Sequence, residues 1–108
     1  MVELKFRYTT SYESVVKNFY DITNDEPVCL ISNNNKKINF QQVAIIPIDN
    51  IVYMILIPID KIEGIGESGG LVFECKRNGT EDYLLLILDD KTIDTVFDKY
   101  NELAKAQK

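Results

Sequence analysis

The sequence predicts an α+β fold. One domain carries a largely antiparallel meander sheet and two helices, in the order β-α-β-β-β-β-β-α. Three observations predict it. Residues 43 to 59 are apolar or proline at fifteen of seventeen positions, interrupted only by Asp49-Asn50, which reads as two strands and a tight turn. Residues 71 to 88 repeat the pattern around Asn78-Gly79, the strongest short hairpin signal. Two other stretches, 12–20 and 93–104, place their apolar residues at helical spacing instead. A length of 108 residues suits one domain that holds a core without disulfides.

The elements follow in order. Residues 2 to 8 alternate Val2, Leu4, Phe6 and Tyr8 with Glu3, Lys5 and Arg7, a strand with one wet face. Thr10 to Glu13 has the capping-box spacing, so a helix follows with Tyr12, Val15, Val16, Phe19 and Tyr20 on one stripe. Residues 21 to 27 break it, and 28 to 32 form a short strand. Asn33-Asn34-Asn35-Lys36-Lys37 is a loop, because asparagine tolerates left-handed backbone. The long hairpin comes next, over 38–48 and 51–59. Residues 63 to 70 read as a loop, 71 to 76 and 81 to 88 as the second hairpin. Asp89 or Asp90 caps the last helix, whose stripe is Ile93, Val96, Phe97, Tyr100, Leu103 and Ala104.

The prolines test the first hairpin. Pairing around Asp49-Asn50 sets Ile48 against Ile51, Pro47 against Val52, Ile46 against Tyr53 and Gln41 against Pro58. If Ile48–Ile51 is a hydrogen-bonded pair, both prolines fall at non-bonded positions, and the hairpin loses no bond to them. Neither proline should then have a regular strand partner on its other side. In the second hairpin a two-residue turn sets Lys76 against Glu81, Glu74 against Tyr83, Phe73 against Leu84 and Leu71 against Leu86. Phe73, Leu71, Leu84 and Leu86 share one face of that pairing.

The chemistry is sparse. The net charge is −5, and most of the surplus acid lies in the second half, which argues against nucleic acid and against an anionic membrane as partners. The polar, charged N-terminus does not read as a signal peptide, and Cys29 and Cys75 read as buried free thiols of a cytoplasmic protein. Gly64-Ile65-Gly66-Glu67-Ser68-Gly69 has the spacing of a dinucleotide fingerprint. A strand follows it, however, where the phosphates would need a helix N-terminus. Asn78-Gly79-Thr80 is a turn rather than a glycosylation site. The stretch from Asp21 lacks the glycine and the closing glutamate of a calcium loop. Asp89, Asp90 and Asp94 are explained by helix capping. With no histidine in the chain, no catalytic, cofactor-binding or metal-ligating set is assigned.

From about residue 28 to residue 103 the chain resembles the small acidic YrzB-like family of Gram-positive bacteria. The matching stretches are Tyr53-Met54-Ile55-Leu56-Ile57-Pro58-Ile59-Asp60, Val72-Phe73-Glu74, Asp82-Tyr83-Leu84-Leu85-Leu86-Ile87-Leu88-Asp89-Asp90 and Val96-Phe97. The resemblance implies a cytoplasmic bacterial protein. It brings no activity or site residues with it.

The expected function is a non-enzymatic protein-interaction module acting as a homodimer. Residues 51 to 59 are apolar at every position, so both faces of that strand want to be dry. Val52, Met54, Leu56, Leu85 and Ile87 are the candidate contact set. Two other readings stand beside it: a small-molecule-binding domain with an apolar pocket between curved sheet and helix, and an enzyme that uses carboxylates. No cofactor is expected.

Overall fold

The computed structural model describes residues 5–21, 27–60, 70–77 and 82–106. The elements are β1 (Lys5–Tyr8), α1 (Tyr12–Tyr20), β2 (Val28–Ile31), β3 (Lys37–Ile48), β4 (Ile51–Pro58), β5 (Leu71–Arg77), β6 (Asp82–Leu86) and α2 (Asp90–Ala106). The predicted order is therefore found, with two helices and an antiparallel sheet. The sheet is not an open meander, however. β1 pairs with β6 as well as with β2, and the six strands close into a barrel. Closure removes the sheet edges that an open meander would expose.

The barrel explains why β4 is apolar on both sides. Met54 and Leu56 point inward, into a cluster with Phe6, Leu30, Ile38, Phe40, Phe73, Leu84 and Leu86. Tyr53 and Ile55 point outward, into a second cluster with Ala44, Ile46, Val72 and Val96. Ile93, Phe97 and Tyr100 of α2 join that outer layer. Thus α2 lies over the outside of β3, β4 and β5. Leu103 and Ala104, expected on its buried stripe, are exposed, because the last turns run past the sheet. The other helix serves the inner cluster. Val15 of α1 is buried there, and Tyr12 and Val16 pack against it. Arg77 at the end of β5 reaches Glu13, and Gln42 Nε2 donates to the Val15 carbonyl at 3.3 Å. These contacts hold α1 across the barrel mouth where β1 and β5 end.

The register of the long hairpin is as predicted near its turn: Ile48–Ile51, Pro47–Val52 and Ile46–Tyr53 face each other. Asp49 takes the left-handed position the turn needs, with φ 55°. Further out, Gln41 faces Ile57 and Phe40 faces Pro58, one residue away from the predicted Gln41–Pro58 pair. The cause is a β-bulge at Val43, between the Gln42–Leu56 and Ala44–Ile55 pairs. The extra residue also reverses which side of β3 faces inward. Ile38 and Phe40 belong to the inner cluster before it, and Ala44 and Ile46 to the outer cluster after it. Pro58 still sits at a non-bonded position, since the Ile59 N–H donates to the Asn39 carbonyl at 2.8 Å. Among the described residues, β5 pairs with β4 only over 52–56 and β2 with β3 only over 37–40, so neither proline faces a strand on its other side.

The second hairpin is shifted by two residues. Phe73 faces Leu86, Cys75 faces Leu84, Lys76 faces Tyr83 and Arg77 faces Asp82. The predicted Lys76–Glu81, Glu74–Tyr83, Phe73–Leu84 and Leu71–Leu86 pairs are therefore corrected. An even shift leaves every side chain on its face, so the apolar pattern is equally content with either register. The observed one sets Arg77 against Asp82 at 3.6 Å, while Lys76 pairs along its own strand with Glu74 at 2.6 Å. Residues 78–81, which carry the predicted turn, and 63–69, which carry the glycine-rich loop, lie outside the described residues, as do Val2 and Leu4.

The helix caps are specific. Ser11, not Thr10, is the N-cap of α1; its backbone is extended and its Oγ accepts the Ser14 N–H at 3.1 Å. Asp89 caps α2, where Oδ2 accepts from the Thr92 N–H at 3.0 Å and from Thr92 Oγ1 at 2.7 Å. These bonds hold the Asp89 carboxyl below its usual range. The Asn33–Asn35 loop is a tight turn, with Asn35 at φ 62° and its N–H donated to the Ser32 carbonyl at 2.9 Å.

Candidate functional site

Two places on the described surface gather polar chemistry. The first lies beneath α1. Tyr8 and Tyr12 meet edge to face at 6.3 Å, and the Arg77 guanidinium lies over the Tyr12 ring at 4.6 Å. Arg77 also donates to Glu13 Oε1 at 2.9 Å. Burial pushes the Cys75 thiol up to about 12, although its contact with Tyr8 works the other way. Burial likewise raises Tyr8 above the ordinary tyrosine value, with Cys75 adding to the effect. The Tyr8 hydroxyl is buried and finds no well-aligned partner among the described residues. A thiol and two phenols that resist ionisation are poor nucleophiles and poor bases at neutral pH. This cluster anchors the helix.

The second place is a cleft on the outside of β1. It has a volume of about 260 Å³ and is lined by Lys5, Arg7, Ser32, Asn33 and Tyr83. Its origin is a strand pairing that stops early. β1 and β2 pair only at Tyr8–Leu30 and Arg7–Ile31. The next two pairs would be Phe6–Ser32 and Lys5–Asn33. They do not form, because Ser32 turns away: its N–H donates to the Lys36 carbonyl and its carbonyl accepts from Asn35, both at 2.9 Å. The seam opens there, and the cleft occupies the opening.

The alternation of β1 places Lys5 and Arg7 on the outer face, two residues apart. On β6, Tyr83 faces Arg7 directly, and the Lys5 ammonium sits 4.9 Å from the centre of its ring. Arg7 is steadied from the other side by Asn35, whose Oδ1 accepts from Nη2 at 3.0 Å. Among the described residues neither cation forms an ion pair. The Ser32 hydroxyl lies buried in the cleft wall with no partner among those residues.

The interface residues expected from the sequence do not come together. Met54 and Leu56 are fully buried inside the barrel. Val52 is half-buried on their side of β4, opposite Cys75. Leu85 is half-buried on the outer side of β6, and Ile87 packs into the layer under α2. The set spans both faces of the sheet, and two of its members, Met54 and Leu56, lie in the core of the single chain. Cys29 and Cys75 are free and half-buried. No group of three or more histidine, cysteine or acidic residues arranged for a metal ion occurs among the described residues. No helix among them is long and apolar enough to cross a membrane.

The cleft escaped the sequence reading. Lys5 and Arg7 were legible there only as one wet strand face. Tyr83 lies three-quarters of the chain away, and nothing local announces that β6 closes onto β1.

Residues 33–105 match the family described as a protein of unknown function, DUF1292. The match spans β3 to α2 and nearly coincides with the stretch of the YrzB-like resemblance, although the match does not carry that name. No curated protein and no solved structure matches the chain.

Proposed function

The chain belongs to the family of unknown function DUF1292, and from that premise we propose a non-enzymatic interaction module that binds with its outer surface. One observation carries the reading: the described interior of the barrel is filled with its own side chains. Phe6, Phe40 and Phe73 meet in three mutual edge-to-face contacts, with centroids 5.3 to 5.9 Å apart. Phe40, Met54, Leu56, Phe73 and Leu84 are wholly shielded from solvent. A small barrel packed this way is a core rather than a container. That weighs against the alternative of an apolar ligand held between sheet and helix. The inert Cys75 and Tyr8 weigh against a nucleophile or base in the mouth under α1.

The homodimer loses the argument that suggested it. One chain dries both faces of β4, the inner by closing the barrel and the outer with α2. A partner of different chemistry, engaged by the polar outer face, is the reading that remains. The test is gentle purification of the tagged protein from its own cell, followed by native mass spectrometry. A protein bound in fixed stoichiometry is expected. An apolar small molecule retained one to one would overturn the proposal in favour of the container.

A further inference from the structure

We infer that the cleft at the β1–β2 opening is a binding site for one compact oxyanion, a phosphate or carboxylate group. Lys5 and Arg7 project from the same face of one short strand and line one opening. Neither is neutralised by an acidic side chain among the described residues, in a chain whose net charge is −5. Lacking an ion pair does not set them apart from lysines such as Lys17 and Lys91; sharing one cleft does. Both are also held in place. Asn35 takes one N–H of the Arg7 guanidinium and leaves the remaining donors free for a planar, two-oxygen acceptor. The Tyr83 ring seats the Lys5 ammonium without consuming any of its three donors. Pre-positioned donors lose little side-chain freedom when a ligand arrives. The cleft volume of about 260 Å³ admits a small charged group.

The site is divided across the family boundary. Asn33 and Tyr83 lie in the DUF1292 match, whereas Lys5, Arg7 and Ser32 precede it. The site is built where the first strand closes the barrel. It does not rest on the proposed interaction with a protein: a variant that loses the anion and keeps its partner separates the two, and one that loses both makes the cleft part of that interface.

The experiment titrates the full chain with inorganic phosphate, acetate and a short oligoglutamate peptide at low ionic strength, followed by amide chemical shifts. Saturable shifts confined to residues 5–7, 32–35 and 83 are expected with at least one probe. Arg7→Gln should weaken them by about tenfold or more, the loss of one charge-assisted contact. Tyr83→Leu should weaken them less, because it frees Lys5 without removing its charge. Phosphate or acetate acting alone identifies a free anion as the ligand; the peptide acting alone identifies acidic side chains of a partner. Shifts that fail to saturate, that spread over the other lysines, or that survive Arg7→Gln in a variant with an unchanged melt would overturn the site.

Discussion

A methyl group on Gly70 would lie 2.7 Å from Ile55 Cγ2 and 3.5 Å from Phe97 Cζ. The Ile55 branch is stiff at χ1 and wholly buried in the outer layer, so it has little room to give. Gly70→Ala should therefore cost about 1–3 kcal/mol through overpacking, read from urea melts. An unchanged midpoint would mean that the gap between sheet and α2 is wider than this. Phe73 makes the opposite case, since removing its ring leaves a hole beside the rings of Phe6 and Phe40. Phe73→Ala should cost about 3–5 kcal/mol. Glu74, next in sequence, points outward and among the described residues pairs only with Lys76, so Glu74→Ala should cost about 1 kcal/mol or less. Equal losses at the two positions would mean the strand is turned over by one residue. This alternation was legible in the sequence because it depends on parity alone. The pairing partner of Phe73 was not, because Leu84 and Leu86 have the same parity and are equally apolar.

At the scale of elements, α2 depends on its cap and on its cover. The Asp89 carboxyl is held below its ordinary range by the Thr92 N–H and hydroxyl, bonds that the unfolded chain lacks. Its contribution is thus complete above the unfolded carboxylate pKa and fades as pH falls through the lower folded value. Asp89→Ala should lower stability near neutral pH, and the gap to the parent should close below about pH 4. A gap that stays constant on acidification would show that the carboxylate is not the cap. The cover is the stripe Ile93, Val96, Phe97 and Tyr100 over Ala44, Ile46, Tyr53, Ile55 and Val72. Truncation after Asp90 should leave that layer bare and give an insoluble or molten chain. Dispersed amide resonances and a sharp melt from the truncated protein would contradict it. Apart from the start of β1, which lies outside the described residues, helix and strand limits were legible to within a residue or two, since periodicity and turn residues are local signals. The bulge at Val43 was not: it inserts a residue into an already apolar run, where no pattern is broken. The choice of Ser11 over Thr10 as cap was equally hidden, because both hydroxyls stand at the same helix entrance.

Closure of the barrel is the fact on which the whole molecule turns, and it depends on pairs between the two ends of the chain, such as Phe6–Leu84. No local pattern encodes such a pair, so the sequence reads as an open meander with a face to spare. The oxyanion cleft was illegible for the same reason, since it exists only where β1 sits between β2 and β6. The spare face suggests a homodimer, with Leu56 among its contacts. In the closed barrel Leu56 is wholly buried beside Phe40 and Phe73. A carboxylate placed there has no partner and no route to water, and an unpaired buried charge costs more than a small domain can bear. Leu56→Glu should consequently unfold the chain outright, with loss of the cooperative melt. Sedimentation of the parent protein at micromolar concentration should give a mass near 12.4 kDa, that of one chain. Twice that mass, together with a Leu56→Glu chain that stays folded and falls to half of it, would restore the interface and show that the barrel opens in solution.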